Sequence, residues 1–246
     1  MLQHTFIHIP GIGPQNERKL WARGIRTWTD FLNQEEMIFS RARDAQIKQA
    51  LEHSLVQQED IWFFVDRLPR KEHWRIFESF QKEAVYLDIE TSGGYQGLDE
   101  ITVIGLFDGQ KVQTFINGIN LEAFAEAISS YKLVITFNGS CFDLPYIQRW
   151  FRHIELPRAH IDLRFFLKKI GLSGGLKAIE KKLGLFRDSE VEGLNGLDAV
   201  LLWKDYQWGD TSALERLILY NTMDIVHLKP LMEFGARELR QRLVSF

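Results

Sequence analysis

Cysteine is nearly absent. Cys141 is the only one in 246 residues, which excludes a disulfide framework and fits a reducing cytoplasm. Glycine and proline are sparse at 18 and 6 positions, too few for a collagen-like or low-complexity chain. No run approaches the roughly eighteen uninterrupted apolar residues of a membrane span. The opening MLQHTFIHIPGIG lacks the basic and apolar regions of a secretory signal. Charge of one sign is lacking too: 30 Lys+Arg stand against 33 Asp+Glu, a net charge of −3. The overall basic excess typical of nucleic-acid binders is therefore missing, which leaves that partner class to be decided by where the charges fall. What is present is a 45% hydrophobic content, enough for one large domain or two smaller ones.

The pattern changes near residue 84, which divides the chain into a helical region 1–83 and an α/β region 84–246. In the first, Gln15–Ala22 reads as a helix, and Thr27 or Thr29 can cap the next through Phe31 and Leu32. Helical runs follow over Ala45–Leu55 and Glu59–Arg67. His73–Phe80 then offers Trp74, Phe77 and Phe80 as an i, i+3, i+6 apolar stripe. In the second region, strands are expected at Ala84–Glu90, Ile101–Phe107 and Lys111–Asn117, the last two joined by the hairpin signal Asp108-Gly109-Gln110. A helix over Leu121–Tyr131, a strand over Leu133–Asn138 and a helix capped by Asp143 and running to about His153 follow. A short strand Ala159–Leu163 and further helices complete the chain. A three-strand antiparallel meander followed by βα units implies a mixed sheet flanked by helices.

Asp88 and Glu90, in YLDIET, sit at i and i+2 of a strand and share one face. Alone, such a pair is an ordinary half-exposed strand end. Asp143 in TFNGSCFDLPYI follows a strand closely and opens a helix; alone, it is a plain N-cap. Tyr220 and Asp224, in YNTMDIVHL, are spaced i, i+4 and share a helical face; alone, they are a surface pair.

Together the three elements resemble the DEDD superfamily of 3′–5′ exonucleases on a ribonuclease-H-like fold. Asp88 and Glu90 match the D-x-E of its first motif. Asn138 and Asp143 match the second, N-x-x-x-F-D in the proofreading branch of DNA polymerases. Tyr220 and Asp224 match the Y-x-x-x-D of the tyrosine subclass. The matches come in family order over roughly residues 84–246. LPRKEHWRIFESF, GGLKAIEKKLG and LERLILYNTMDIVHL are similar to the bacterial YprB-like branch.

The resemblance implies two Mg²⁺ or Mn²⁺ ions held by Asp88, Glu90, Asp143 and Asp224. Asp88 would bridge the ions, and Tyr220 would orient the attacking water. The physical need is plain: four carboxylates converging without Lys or Arg neighbours repel unless divalent cations neutralise them, and such hard cations prefer oxygen ligands. Zinc is disfavoured by the single cysteine and the scattered histidines. His227 reads as a packed or solvated helix residue and Cys141 as a small buried one. His160 and Asp162 read as structural or supporting groups.

Two segments bear on a nucleic-acid partner. His8–Trp28, within a segment of about 8–34, places Gly11-Ile12-Gly13 before a helix and resembles half of a helix-hairpin-helix. There Gly11, Gly13 and Lys19 would meet a phosphate backbone; a compact helical appendage is the competing account. Between Arg149 and Arg187, ten basic residues stand against three acidic ones. Arg149, Lys177 and Asn138 are candidate substrate contacts within or beside this strip, although the Lys177–Lys182 helix alone reads as a solvated face. Tyr146, Trp150 and Phe151 read as core. The expected activity is hydrolysis of single-stranded DNA or RNA from a 3′ end, with no membrane role. A structure-specific endonuclease and a non-catalytic nucleic-acid binder are the alternatives.

Overall fold

The computed structural model describes residues 1–94 and 99–244. The chain forms two compact units, Met1–Gln81 with Ala236–Phe246, and Lys82–Gly235.

In the first unit a 3₁₀ turn at Leu2–His4 precedes α1 (Pro14–Ala22), α2 (Trp28–Leu32), α3 (Arg41–Val56) and α4 (Ile61–Val65). A second 3₁₀ segment, Arg70–Ile76, then runs into α5 (Phe77–Phe80). Thr27 caps α2 in a reciprocal box with Asp30. Ser40 and Asp60 cap α3 and α4, so α3 starts four residues before the expected Ala45 and α4 is trimmed at both ends. The 3₁₀ geometry suits the i, i+3, i+6 stripe, because three residues per turn align Trp74 and Phe77, which are buried with Phe80. Trp28 stacks on Phe64 with ring centroids 5.9 Å apart and donates from Nε1 to the Thr5 carbonyl at 2.7 Å. Glu17 and Arg75, both buried, pair at 2.9 and 3.0 Å, while Glu17 also accepts the Phe6 amide at 2.7 Å. The N-terminal 3₁₀ turn stands where a helix-hairpin-helix would have its first helix.

The second unit is built on one five-stranded sheet of order β3-β2-β1-β4-β5. The strands are β1 (Ala84–Thr91), β2 (Ile101–Phe107), β3 (Val112–Ile116), β4 (Leu133–Thr136) and β5 (Ala159–Asp162). β1, β2 and β3 form an antiparallel meander, and β4 and β5 run parallel to β1, as the mixed-sheet expectation required. The hairpin closes on Asp108, whose Oδ1 accepts the Gln110 and Lys111 amides at 2.8 and 2.7 Å.

Val85, Leu87 and Ile89 alternate onto one face of the sheet and pack with Phe124, Ile128 and Ile147. These belong to α6 (Phe124–Ser129), which a 3₁₀ turn at Leu121–Ala123 precedes, and to α7 (Asp143–Trp150). Tyr146, Trp150 and Phe151 pack against this same cluster. After α8 (Leu163–Lys168) and α9 (Leu176–Lys182) come α10 (Gly196–Gln207) and α11 (Thr211–Val244). Residues of α10 and α11 form a further cluster, with Val103, Ile116, Trp203, Leu217 and Tyr220. The even residues of β1, including Asp88 and Glu90, point away from the α6/α7 core.

Two local expectations are corrected. Asp143 is not the N-cap of α7: Phe142 holds that position and Asp143 is the first helical residue. β4 ends at Thr136 rather than Asn138, because Asn138 turns the chain with a φ of 68°, a left-handed conformation that asparagine tolerates and a continuing strand does not.

Candidate metal centre

Strand alternation aims Asp88 and Glu90 together, since Leu87 and Ile89 are taken by the core behind them. α11 brings Asp224 to the pair, and oxygens of Asp88, Glu90 and Asp224 lie within 4.8 Å of one another. The helix approaches this closely because Gly105 of β2 stands opposite Asp88. A Cβ at Gly105 would lie 2.1 Å from Asn221 Oδ1. Asn221 uses that space to donate from Nδ2 to Asp88 Oδ2 at 3.0 Å and to bond Glu90.

Asp143 joins from α7. The parallel β1–β4 ladder stops at the Tyr86–Ile135 pair, and beyond it the Ile89 amide donates to Asp143 Oδ1 at 3.1 Å. Burial, followed by repulsion from Asp143, Asp224 and Glu90, holds the Asp88 carboxyl well above the usual carboxylate range. Burial and the charges of Asp224 and Asp143 do the same to Glu90. Burial lifts Asp143 to about 7 against the pull of its backbone hydrogen bonds. Asp224 is raised by burial too, held back by Arg187. An all-carboxylate donor set, buried at Glu90, Asp143 and Asp224 and half-buried at Asp88, whose members resist ionising together fits hard divalent cations such as Mg²⁺ or Mn²⁺.

The acids are not without basic neighbours, contrary to the expectation from sequence. Arg187, just beyond α9, donates from Nη2 to Asp224 Oδ1. It also forks onto Glu180, Nη2 to Oε1 at 2.6 Å and Nε to Oε2 at 2.8 Å. His227 Nδ1 lies 3.0 Å from Glu180 Oε1. Although burial opposes the charge, the Glu180 and Asp224 carboxylates hold the Arg187 guanidinium still more firmly protonated than usual. Lys177 is likewise no solvated face: its Nζ donates to Tyr220 Oη at 2.8 Å and to the Leu194 carbonyl. Burial pushes the Lys177 ammonium down from its ordinary value. Burial, then Asp224, Glu90 and Asp88, pushes the Tyr220 phenol up. Arg187 and Lys177 thus face Asp88, Glu90, Asp143 and Asp224 with Glu180 as a fifth acid, Arg187 being shared between Glu180 and Asp224, so a deficit of positive charge remains.

The β4–α7 loop is pinned from β5. Asp162 accepts the Asn138 amide at 2.8 Å, the Ser140 amide at 3.0 Å and the Ser140 hydroxyl at 2.6 Å, and also caps α8 through the Arg164 amide at 3.1 Å. Arg164 Nη1 donates to Asn138 Oδ1 at 2.6 Å. His160 Nε2 meets Thr136 Oγ1 at 2.9 Å. Cys141, expected to be buried, is exposed, because it sits in the turn that carries the chain from Asn138 into α7. Arg149 is exposed, with its guanidinium 4.2 Å from the Tyr146 ring centroid. Gly11, Gly13 and Lys19 belong to the first unit.

Sequence patterns missed Asn221, Glu180 and the role of Arg187. Asn221 directly follows Tyr220 and has no motif of its own. Glu180 and Arg187 meet Asp224 only through the fold.

The chain is similar to the family B DNA polymerase from the hyperthermophilic archaeon Pyrobaculum calidifontis, at 14% identity and a TM-score of 0.53 over 65% of this chain and 25% of that one. It also matches Escherichia coli RNase D, an exoribonuclease involved in structured RNA processing, at 20% identity and a TM-score of 0.45, covering 69% and 44% of the two chains. Brucella melitensis NrnC with bound Mg²⁺ matches at 18% identity and a TM-score of 0.46, covering 69% and 79%. The chain therefore spans a quarter of the polymerase's length and under half of RNase D's. None of the curated proteins matches it. At 14% identity the likeness to the polymerase is one of fold. A family model of the RNase H superfamily, RNase_H_2, matches residues 85–234, which hold all of the sheet but Ala84 and all four acids, and the chain belongs to that superfamily.

Proposed function

We propose that the chain is a divalent-metal-dependent 3′–5′ exonuclease of the tyrosine-type DEDD class, in the YprB-like branch, acting on single-stranded DNA or RNA. The observation that carries the reading is the convergence of Asp88, Glu90 and Asp224 within 4.8 Å, with Asp143 fixed beside them on the Ile89 amide. Asp88, Glu90 and Asp224 would hold one ion, and Asp88 with Asp143 the other. Bound there, the ions would activate water and stabilise the attacking and leaving oxygens of an in-line displacement.

The chain's own groups do the rest. Asn221 sets the Asp88 carboxylate, Arg187 sets that of Asp224, and Tyr220 orients the attacking water. Asn138, on its pinned loop, and the exposed Arg149 would contact the strand. Gly11, Gly13 and Lys19 would add phosphate contacts from the first unit, Lys19 being exposed there. Removing residues 1–30 is not a usable test of that grip, because Phe6, Trp21 and Trp28 are buried in the unit's core. Lys19→Glu is the usable variant: weaker binding with unchanged turnover supports a contact, and unchanged affinity makes the segment structural.

The test of the activity uses 5′-labelled single-stranded DNA and RNA with Mg²⁺ or Mn²⁺, beside a circular strand of the same sequence. Stepwise shortening of the linear strand with the circle intact supports the exonuclease. Cutting of the circle identifies an endonuclease of the same fold, and binding without cleavage identifies a non-catalytic binder.

A further inference from the structure

We infer that Lys177 is a positioning residue for hydrolysis, acting through the phenol of Tyr220. The inference rests on the nuclease reading and extends it to a residue outside the carboxylate motifs.

Lys177 stands in the first turn of α9, which begins after Gly174 and Gly175. Gly174 has a φ of 116°, a conformation that L side chains rarely adopt, and Gly175 is the N-cap. That sharp entry turns Lys177 toward α11, where its Nζ lies 4.4 Å from the centroid of the Tyr220 ring and 2.8 Å from its Oη. The Leu194 carbonyl accepts a second hydrogen bond from the same ammonium. An ammonium has donors and no acceptor, so in this pair the phenol oxygen must accept. The phenol hydrogen is thereby turned away from Lys177 and left to donate elsewhere.

The phenol's other charged neighbours are Asp88, Glu90 and Asp224, with Arg187 5.8 Å from the ring centroid. Without Lys177, the phenol oxygen loses its donor and the hydroxyl can rotate toward the nearest carboxylate. It would then be a donor spent on a metal ligand rather than on water. Lys177 thus does two things: it fixes the direction of the Tyr220 hydroxyl, and its charge offsets part of the acidic cluster. A lysine serving only the substrate backbone would need no phenol contact and would not be fastened to a main-chain carbonyl.

The test combines kinetics with a spectroscopic signal. Wild type, Lys177→Met, Tyr220→Phe, the double variant and Lys177→Arg are compared for hydrolysis of an end-labelled single strand with Mg²⁺. Lys177→Met should lower kcat about tenfold or more while leaving KM within about threefold, the size of effect typical of a lost orienting group. In the Tyr220→Phe background the same change should cost less than about twofold, because contacting residues are non-additive. Lys177→Arg, which keeps a donor, should recover part of the loss. In ¹³Cζ-tyrosine NMR the Tyr220 resonance, identified by its absence in Tyr220→Phe, should move in Lys177→Met and stay in place in the surface control Lys204→Met.

Additive kinetic losses, or a rise in KM alone, would overturn the inference, as would a Tyr220 resonance indifferent to Lys177. A wild-type chain that cleaves nothing while the resonance still depends on Lys177 overturns the nuclease reading, and the hydrolytic role of Lys177 with it. A normal wild-type rate with no effect of Lys177→Met overturns the inference alone.

Discussion

The Oδ1 of Asp143 accepts the backbone amide of Ile89 at 3.1 Å, at the place where the parallel ladder between β1 and β4 has ended. One carboxylate therefore serves two ends, satisfying a buried strand donor and standing beside the Asp88–Glu90–Asp224 cluster. Asp143→Ala should cost about 1–3 kcal/mol in urea unfolding, the penalty of an unpaired buried amide. Asp143→Asn keeps an acceptor and should stay within about 1 kcal/mol of wild type. Equal stability losses in the two variants would show that the bond contributes nothing.

Repulsion within the acidic cluster sets the second expectation. Because Asp88 and Glu90 are held well above the usual carboxylate range by burial and by one another's neighbours, Asp88→Asn or Glu90→Gln should raise the metal-free melting temperature at neutral pH. The same variants should lose most of the stabilisation that Mn²⁺ gives wild type, about 2.7 kcal/mol at a hundredfold excess over Kd. Differential scanning fluorimetry with and without Mn²⁺ measures both.

Arg187 carries a third. Its guanidinium serves Asp224 and Glu180 together with only 6% of its side chain exposed, so Arg187→Met leaves two buried carboxylates without their counter-charge. Loss of one partner from a buried pair costs about 3–5 kcal/mol. Combining it with Glu180→Gln should recover part of that loss in urea unfolding. A single variant as stable as wild type would mean that His227 and the solvent already satisfy Glu180.

A pH effect is expected in the first unit. His8 is buried between Trp28 and Phe64, with Nε2 2.9 Å from Ser54 Oγ, and burial lowers it from 6.5 to about 4. Between those values the unfolded chain takes up a proton that the folded chain refuses. Stability is therefore full above about pH 6.5 and falls as the pH drops toward 4, by about 3 kcal/mol at most. His8→Gln, which can still reach Ser54, should flatten that slope in denaturant melts at pH 4.5 and 7. An unchanged slope would place the acid sensitivity elsewhere.

Local periodicity made the sheet and much of the centre legible. Alternation along YLDIE states that Asp88 and Glu90 share a face, and i, i+4 spacing states the same of Tyr220 and Asp224. The Asp-Gly pair marked the β2–β3 hairpin for a reason confined to four residues. What stayed hidden depends on residues far apart in sequence. Asp143 looked like a cap because the amide it accepts belongs to a strand 54 residues away. Arg187 read as one more member of a basic strip because its partner Asp224 is 37 residues distant. Lys177 looked solvated since nothing in LKAIEKK reveals that Tyr220 lies over its first turn. Cys141 was placed inside by its residue type, while the turn after Asn138 carries it out. The near-neutral total charge concealed the arrangement that matters, a half-buried Asp88 with buried Glu90, Asp143 and Asp224, beside Lys177 and an Arg187 that is shared with Glu180.

The most direct test of the central claim compares wild type with Asp88→Asn on a 5′-labelled single strand, with Mg²⁺ and with excess EDTA. Wild type should shorten the strand stepwise from its 3′ end, stop with EDTA, and lose at least about a thousandfold of that rate in Asp88→Asn, on the order of the loss of a principal catalytic group. Cleavage that persists in Asp88→Asn, or in EDTA, would contradict the claim.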